Sequence, residues 1–362
     1  MRISMIKGFD MSALAYMKEC GARYYADSKE EDALRILKNK GANLIRLRLF
    51  NDPYDENGHD YGAGLCDLKH LKKNILNCQE NGLDYYLDFF YSDCWADPGK
   101  QRMPKVWIDH DIDELEKDIY GFTYKTLGEL DYLPKIVSIG NEITNGMCWP
   151  IGSAENRDNL NRLVSAGLRA VHDFDMGIKT MIHLDNGTNN GQYHAWFDAY
   201  EGFDFDYIGM SYYPIWNDSL SSLAKSIEDI YATYGKQILV AETSYPFSDE
   251  DYGRYEDIPE KERKGMALRK EHLSRLPYEI SPKGQKQYMT DLMHMIDTLD
   301  CCLGFCYWGA ELIPAKGSSW ATYEGIAYMQ EKGPLGNEWA NQAVFDYEGK
   351  ALEVLDTLQE ND

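Results

Sequence analysis

Glu142 and Glu242 are the residues from which chemistry can start. Each closes a short apolar run: Ile136-Val137-Ser138-Ile139-Gly140-Asn141 before the first, Ile238-Leu239-Val240-Ala241 before the second. A β-branched run of that length reads as a buried strand, so each carboxylate stands where a strand opens into a loop. Two carboxylates delivered from separate strand ends suit glycoside hydrolysis by double displacement, in which one protonates the leaving oxygen and the other attacks the sugar. Environment divides the labour. A carboxylate that stays ionised attacks, and its negative charge helps a neighbour keep the proton it must donate. Asn141-Glu142 also has a bland reading as a helix start, where Asn caps and Glu favours the positive dipole end. Glu242 is harder to dismiss, because an unpartnered carboxylate ending an apolar strand is costly. Glu142 is therefore the expected acid/base and Glu242 the expected nucleophile.

Positioning them requires a scaffold of strands. Apolar runs recur at Ile6–Phe9, Leu44–Phe50, Tyr85–Phe90, Ile136–Ile139, Thr180–Leu184, Tyr207–Tyr212, Ile238–Ala241 and Leu303–Trp308. Between them lie segments of helical period, such as Glu31–Lys40 and Leu68–Asn81. Glycines at Gly41, Gly82, Gly177 and Gly235 read as helix C-caps before the next strand. Eight strands alternating with helices predict an α/β fold, a (β/α)8 TIM barrel in which active sites gather at the C-terminal strand ends. An open doubly wound sheet is the alternative that the pattern alone leaves. No glycine-rich phosphate loop follows a strand, which disfavours nucleotides. No Pro/Ser-rich linker divides the chain, so residues 1–362 read as one catalytic domain. A long connection after the seventh strand, from about Phe247 to Pro282, includes a charged stretch, Glu260–Arg275, that fits a short helix. The stretch Gly333–Leu358 reads as a loop followed by the closing helix.

Side chains near the proposed strand ends fit a carbohydrate. Trp95, Trp149, Trp216, Trp308 and Trp320 offer flat faces for the C–H side of a pyranose, whereas a single Trp would read as core. His183-Leu184-Asp185-Asn186-Gly187 supplies three polar groups in one turn, although an ordinary Asn-Gly turn explains Asn186 and Gly187. Arg46 alternates with apolar residues in the second strand; facing the barrel it must find an anion, and the nucleophile is the natural one. Arg48 shares its face by period two, so one of the pair can be structural.

Composition excludes some classes. The apolar share of 44% supports a sizeable core, and a net charge of −23 argues against nucleic acid and anionic membranes as partners. The eight cysteines are scattered, with no CxxC pair and no zinc-type spacing. No apolar stretch has signal-peptide or membrane-spanning length, which with reduced thiols gives a cytoplasmic expectation. The expected state is a monomer.

Several segments match a known family in order: Asp88-Phe89-Phe90-Tyr91-Ser92-Asp93-Cys94-Trp95-Ala96-Asp97-Pro98-Gly99-Lys100-Gln101, Gly140-Asn141-Glu142-Ile143, His183–Gly187, Ser211-Tyr212-Tyr213-Pro214, Glu242-Thr243-Ser244-Tyr245-Pro246 and Gly333-Pro334-Leu335-Gly336-Asn337. From about Lys7 to Leu355 the chain resembles glycoside hydrolase family 53, the endo-β-1,4-galactanases of clan A. The resemblance implies a (β/α)8 barrel, retention of configuration, β-1,4-galactan or galacto-oligosaccharides as substrate and no required cofactor. It implies Glu142 as acid/base and Glu242 as nucleophile, with Arg46, Asn141, Tyr212 and Trp308 lining the cleavage subsite. Asp93, Trp95, His183, Asp185 and Asn186 complete the expected substrate-binding set. Three departures stand out. Phe90 replaces the family's usual histidine; the eighth strand ends Tyr307-Trp308-Gly309-Ala310-Glu311 instead of Tyr-Trp-Glu-Pro; and a calcium ion carried by bacterial members would fall to Asp249, Asp251 and Asp257 here, in a loop without a clear calcium motif. Two rivals remain: another clan A hydrolase of mannan, xylan or glucan, and a weakened galactan-binding protein, motivated by Phe90.

Overall fold

The computed structural model describes residues 4–250 and 274–359. Eight parallel strands close into a barrel: β1 (Ile6–Asp10), β2 (Leu44–Leu49), β3 (Asp84–Phe89), β4 (Ile136–Ile139), β5 (Lys179–Leu184), β6 (Tyr207–Ser211), β7 (Gln237–Thr243) and β8 (Cys302–Tyr307). Strand β1 seals the ring by pairing with both β2 and β8. Every expected strand is present, its ends within two residues of the sequence reading. Helices α1 (Leu14–Glu19) and α2 (Ala33–Lys40) both lie between β1 and β2, and α3 (Leu68–Glu80), α4 (Ile112–Gly128), α5 (Arg157–Phe174), α6 (Asn190–Asp198), α7 (Leu220–Tyr234) and α8 (Pro282–Asp297) then alternate with the remaining strands.

Local chemistry sets these bounds. The Asp32 side chain accepts from the Leu34 and Arg35 amides to start α2, and Gly41 ends it at φ 110°, a conformation open to glycine. Asp111 and Glu114 form a reciprocal capping box on α4. Gly235 caps α7 as expected. Gly177 does not cap α5: Asp175 is its C-cap, and the Asp175 side chain accepts from the Gly177 amide at 2.7 Å.

Alternation along the strands separates two cores. In β2, Ile45, Leu47 and Leu49 face the helices, while Leu44 points into the barrel with Tyr86, Ile136, Met181, Leu239 and Ala241. By the same period Arg46 and Arg48 point inward. Each outward aliphatic contributes about 1.5–3 kcal/mol by burial, which helps offset the several kcal/mol that taking a guanidinium from water costs. Gly8 makes room for its neighbour strand β8, since a Cβ there would lie 2.6 Å from Cys306 Sγ and 2.8 Å from Phe305 O.

Strand β7 breaks its own alternation where the site begins. Leu239 and Ala241 both face the barrel interior. Strict period two would then turn Glu242 outward. Against β6, however, Val240 pairs with Met210 and Glu242 with the next residue, Ser211, leaving Ala241 as an extra residue. The pairing with β8 shifts at the same place. This bulge turns Glu242 inward as well, as bulges beside active sites do.

The C-terminal stretch corrects the sequence reading. Instead of a loop and a closing α-helix, α9 (Tyr323–Met329) precedes two 3-10 turns, Ala340–Gln342 and Glu353–Gln359. Asn341 and Gln342 are buried and spend their side chains on other segments: Asn341 Nδ2 donates to Ser248 O at 2.9 Å, and Gln342 Oε1 accepts from Ser244 at 2.6 Å. A turn at Gly349 (φ 81°) separates the two and keeps them from joining into one helix. The stretch Glu260–Arg275 falls almost wholly outside the described residues.

Candidate active site

Glu142 follows β4 through a bend made by Gly140 (φ 79°) and by Glu142 itself (φ 47°). A left-handed backbone costs a non-glycine residue about 1–2 kcal/mol. Glu142 opens only the short turn Ile143–Asn145 and makes no capping bond to it. The helix-start reading therefore fails, and the side chain lines a cavity of about 430 Å³ instead. Glu242 lines the same cavity. Its Oε1 accepts from Arg46 Nη1 at 2.5 Å and its Oε2 from the Tyr213 hydroxyl at 2.7 Å.

The two carboxylates are in unlike surroundings. Burial pushes the Glu142 carboxyl well above the usual carboxylate range, and the negative charge of Glu242 pushes it further; the Ser211 hydroxyl opposes both. Glu242 sits on a buried cation. Arg46 is fully buried, and its Nη2 also donates to Asp88 Oδ2 and to Asn141 Oδ1, both at 2.6 Å, with Asp10 Oδ2 at 3.6 Å from Nε. Burial lifts Asp88 to about 6 despite the neighbouring guanidinium. Arg46 thus finds the anion expected of it, but from beneath the cavity, not on its wall. Asn141 does line the cavity; Arg46 fixes its Oδ1, and Nδ2 donates to Ala96 O at 2.8 Å, leaving one amide N–H for a sugar hydroxyl.

Of the other expected residues, Trp95, Asp185, Asn186 and Trp308 line the cavity, together with Trp216 and Trp320. Asn186 adopts the left-handed turn its Asn-Gly sequence predicts (φ 53°), and its Oδ1 accepts from Asn217 at 2.8 Å while the residue lines the cavity. Trp149 is not on the wall; its indole N–H donates to Asn145 O at 2.8 Å. Phe90 is on the wall, edge-on to Phe50 at 5.3 Å in a cluster with Cys94 and Ala96.

Three expected contacts are corrected. Asp93 is fully buried off the cavity, accepting from the Asp52 and Lys105 amides at 3.0 and 2.7 Å and from the Tyr328 hydroxyl at 3.1 Å; it braces loops. His183 is buried below the wall, 2.9 Å from Ser211 Oγ, and burial, reinforced by Arg46, holds it neutral. It positions Ser211, which does line the cavity. Tyr212 joins the outward set with Ile208 and Met210, its hydroxyl donating to Asp218 O at 2.9 Å. Period two from Ser211 selects Tyr213, the residue bonded to Glu242. That parity was available in the sequence. Trp339 was also missed; it packs 4.5 Å from Trp308 across ring centroids and reaches the wall from the stretch read as a loop followed by a closing helix.

The tyrosine pair gives a kinetic test. Tyr213→Phe is expected to lower kcat about ten- to a hundredfold, since a hydrogen bond to a charged group is worth about 1.5–3 kcal/mol. Tyr212→Phe is expected to cost about 1 kcal/mol of stability and leave kcat nearly unchanged. Steady-state rates and thermal melts of both proteins check this; a slower Tyr212→Phe enzyme beside an unaffected Tyr213→Phe enzyme would reverse the correction.

Among the described residues, no group of three or more His, Cys, Asp or Glu is arranged to hold a metal ion. Asp251 and Asp257, two of the calcium candidates, lie outside those residues, and Asp249 alone makes no site. All eight cysteines are free thiols. No described helix is long and apolar enough to cross a membrane.

Comparison with known proteins decides the family: residues 6–358 match the profile of Glycosyl hydrolase family 53. The chain belongs to that family. An uncharacterized protein in the bgaB 5' region of Niallia circulans is 35% identical, over 98% of this chain and 94% of the relative. The endo-beta-1,4-galactanase of Bacillus subtilis (strain 168) is 30% identical, over 99% of this chain and 86% of the relative. The solved Ignisphaera aggregans GH53 catalytic domain superposes with a TM-score of 0.88 at 35% identity, covering 99% of this chain and 96% of its own. This family 53 member is therefore a glycoside hydrolase on a (β/α)8 barrel.

Proposed function

We propose that this protein is a retaining endo-β-1,4-galactanase acting on β-1,4-galactan and galacto-oligosaccharides. One observation carries the reading: a proton-holding carboxyl, Glu142, and an arginine-paired carboxylate, Glu242, share one tryptophan-walled cavity. Glu142 donates its proton to the leaving galactosyl oxygen while Glu242 Oε attacks the anomeric carbon. The negative charge on Glu242 disappears as the glycosyl ester forms. Glu142, now ionised, takes a proton from water, which attacks the same carbon and releases Glu242. Asn141 and Asn186 offer amides to hydroxyls, and Trp308 and Trp95 offer ring faces to the apolar side of the sugar. Every step uses residues of this chain, and no cofactor enters. The Bacillus subtilis relative's name supports galactan over other β-glycans.

The test is a product profile. Initial rates on galactan, mannan, xylan and β-glucan, with galactotetraose as a defined substrate, should place galactan first and yield internal-cleavage products. Proton NMR of the first turnovers should show the β-anomer before mutarotation. A preference for mannan or xylan would transfer the reading to another hydrolase of the clan, and an α-anomer would remove the covalent step.

A further inference from the structure

The barrel holds a second buried arginine that double displacement does not use. Arg48 lies two residues beyond Arg46 on β2, is 2% exposed and takes no part in the wall of the substrate cavity. Its guanidinium carbon sits 4.6 Å from the ring centroid of Trp95 and 5.5 Å from that of Trp308. Those rings, 6.2 Å apart and inclined at 49°, do line the cavity. Behind them Arg48 borders a small cavity of about 30 Å³ that both tryptophans also line.

Charge, more than directed bonding, holds Arg48 there. Its Nη1 is 3.9 Å from Asp10 Oδ2, beyond hydrogen-bond reach, and neither Nε nor Nη1 has a hydrogen-bond acceptor in the protein. Glu311 completes the group: it is fully buried, its Oε1 accepts from the Ala13 amide at 2.7 Å, and its Oε2 has no donor. The groups facing Glu311 are Asp10 on β1, Arg48 on β2, the Tyr24 ring, whose hydroxyl donates to the Glu311 carbonyl at 2.8 Å, and the Cys66 thiol. A guanidinium held by a nearby charge and two ring faces can shift when that charge balance changes.

We infer that Arg48, balanced by Asp10 and, once it ionises, by Glu311, is a positioning residue that sets the inclination of Trp95 and Trp308 and so tunes sugar binding without touching the sugar. Burial, with Asp10 adding to it and Arg48 opposing it, lifts the Glu311 carboxyl to about 8. Glu311 thus holds its proton well above the ordinary carboxylate range and gains its charge only as pH rises through that elevated value. The tyrosine and cysteine neighbours are pushed above their ordinary values and ionise later.

Two variants test this. The inference depends on the galactanase reading only for the choice of sugar, so the first readout is taken without ligand. Tryptophan emission of the full chain should titrate with a midpoint near 8. Glu311→Gln, which keeps the shape and the Ala13 contact, should abolish that transition. Arg48→Met, which keeps the apolar stem, should alter emission at neutral pH and raise KM for galactotetraose about thirtyfold, the size of a desolvated cation–π contact, with kcat little changed. An emission titration that survives in Glu311→Gln overturns the inference whatever the galactan assays give. A folded Arg48→Met protein with parental emission and KM overturns it independently. Should Arg48→Met fail to fold, the Glu311→Gln titration decides alone.

Discussion

Glu242→Gln is expected to lower kcat on galactan on the order of a millionfold, the scale seen when an enzyme loses its nucleophile. Glutamine keeps the volume and offers Arg46 Nη1 an oxygen, so the loss isolates the reaction step from the shape of the pocket. It also removes an anion from a guanidinium that is fully buried, leaving Asp88, Asp10 and Asn141 to hold it. Breaking a buried pair can cost about 3–5 kcal/mol, so a thermal melt must accompany the rate measurement. A folded variant that cleaves galactan at the parental rate would falsify the assignment of Glu242.

Glu142→Gln should act differently, because the substrate can relieve the defect. On galactan, whose leaving group is a poor one, the rate should fall about 10²- to 10⁴-fold, the usual worth of general acid catalysis. On an aryl galactoside with an acidic phenol, the first step should be much less impaired, because that leaving group needs no proton. The pH profile adds a second mark. Glu142 holds its proton above the ordinary carboxylate range, so the parental rate should fall as pH rises through that elevated value, and the variant should lack this limb. Stability follows the same sign. A carboxyl whose folded pKa is raised favours the folded state most at low pH, below its unfolded value. That advantage is lost as pH rises towards the folded value, so at neutral pH the group burdens the fold. Glu142→Gln should therefore melt higher than the parent at pH 7, and the gain should shrink towards pH 4. An unchanged alkaline limb in the variant would move the acid role to another residue.

Much of this architecture was legible because parallel barrel strands are buried on both faces and announce themselves as apolar runs. The two glutamates were legible for the same reason, as charges breaking those runs at their ends. What hid was geometry between neighbouring strands. Nothing in Val240-Ala241-Glu242 signals the extra residue that turns Glu242 inward after Ala241, because a bulge is defined by the partner strand. Tyr213 was within reach of the alternation rule, and it was displaced by a motif match that counted Tyr212 instead. Asp93 and His183 show the opposite error: polar residues beside a site serve its supports as readily as its substrate. Trp339 escaped because the tryptophans were counted at strand ends and in the loops directly after them, whereas it sits in the later Gly333–Leu358 stretch, whose Asn341 and Gln342 are tethers to other segments.

Arg46 joins β2 to β3, to the end of β4 and to β7 through single side-chain bonds. Its neighbours are consequently not independent variables in the history of the protein. A change at Asp88 or Asn141 alters the footing of Glu242 without touching it, and a change at Arg46 unfastens all three together. Drift at this centre is confined to concerted replacements, whereas the tryptophan rim above it can be revised one ring at a time. New sugar preferences would be expected to arise at the rim long before any new reaction arose at the hub.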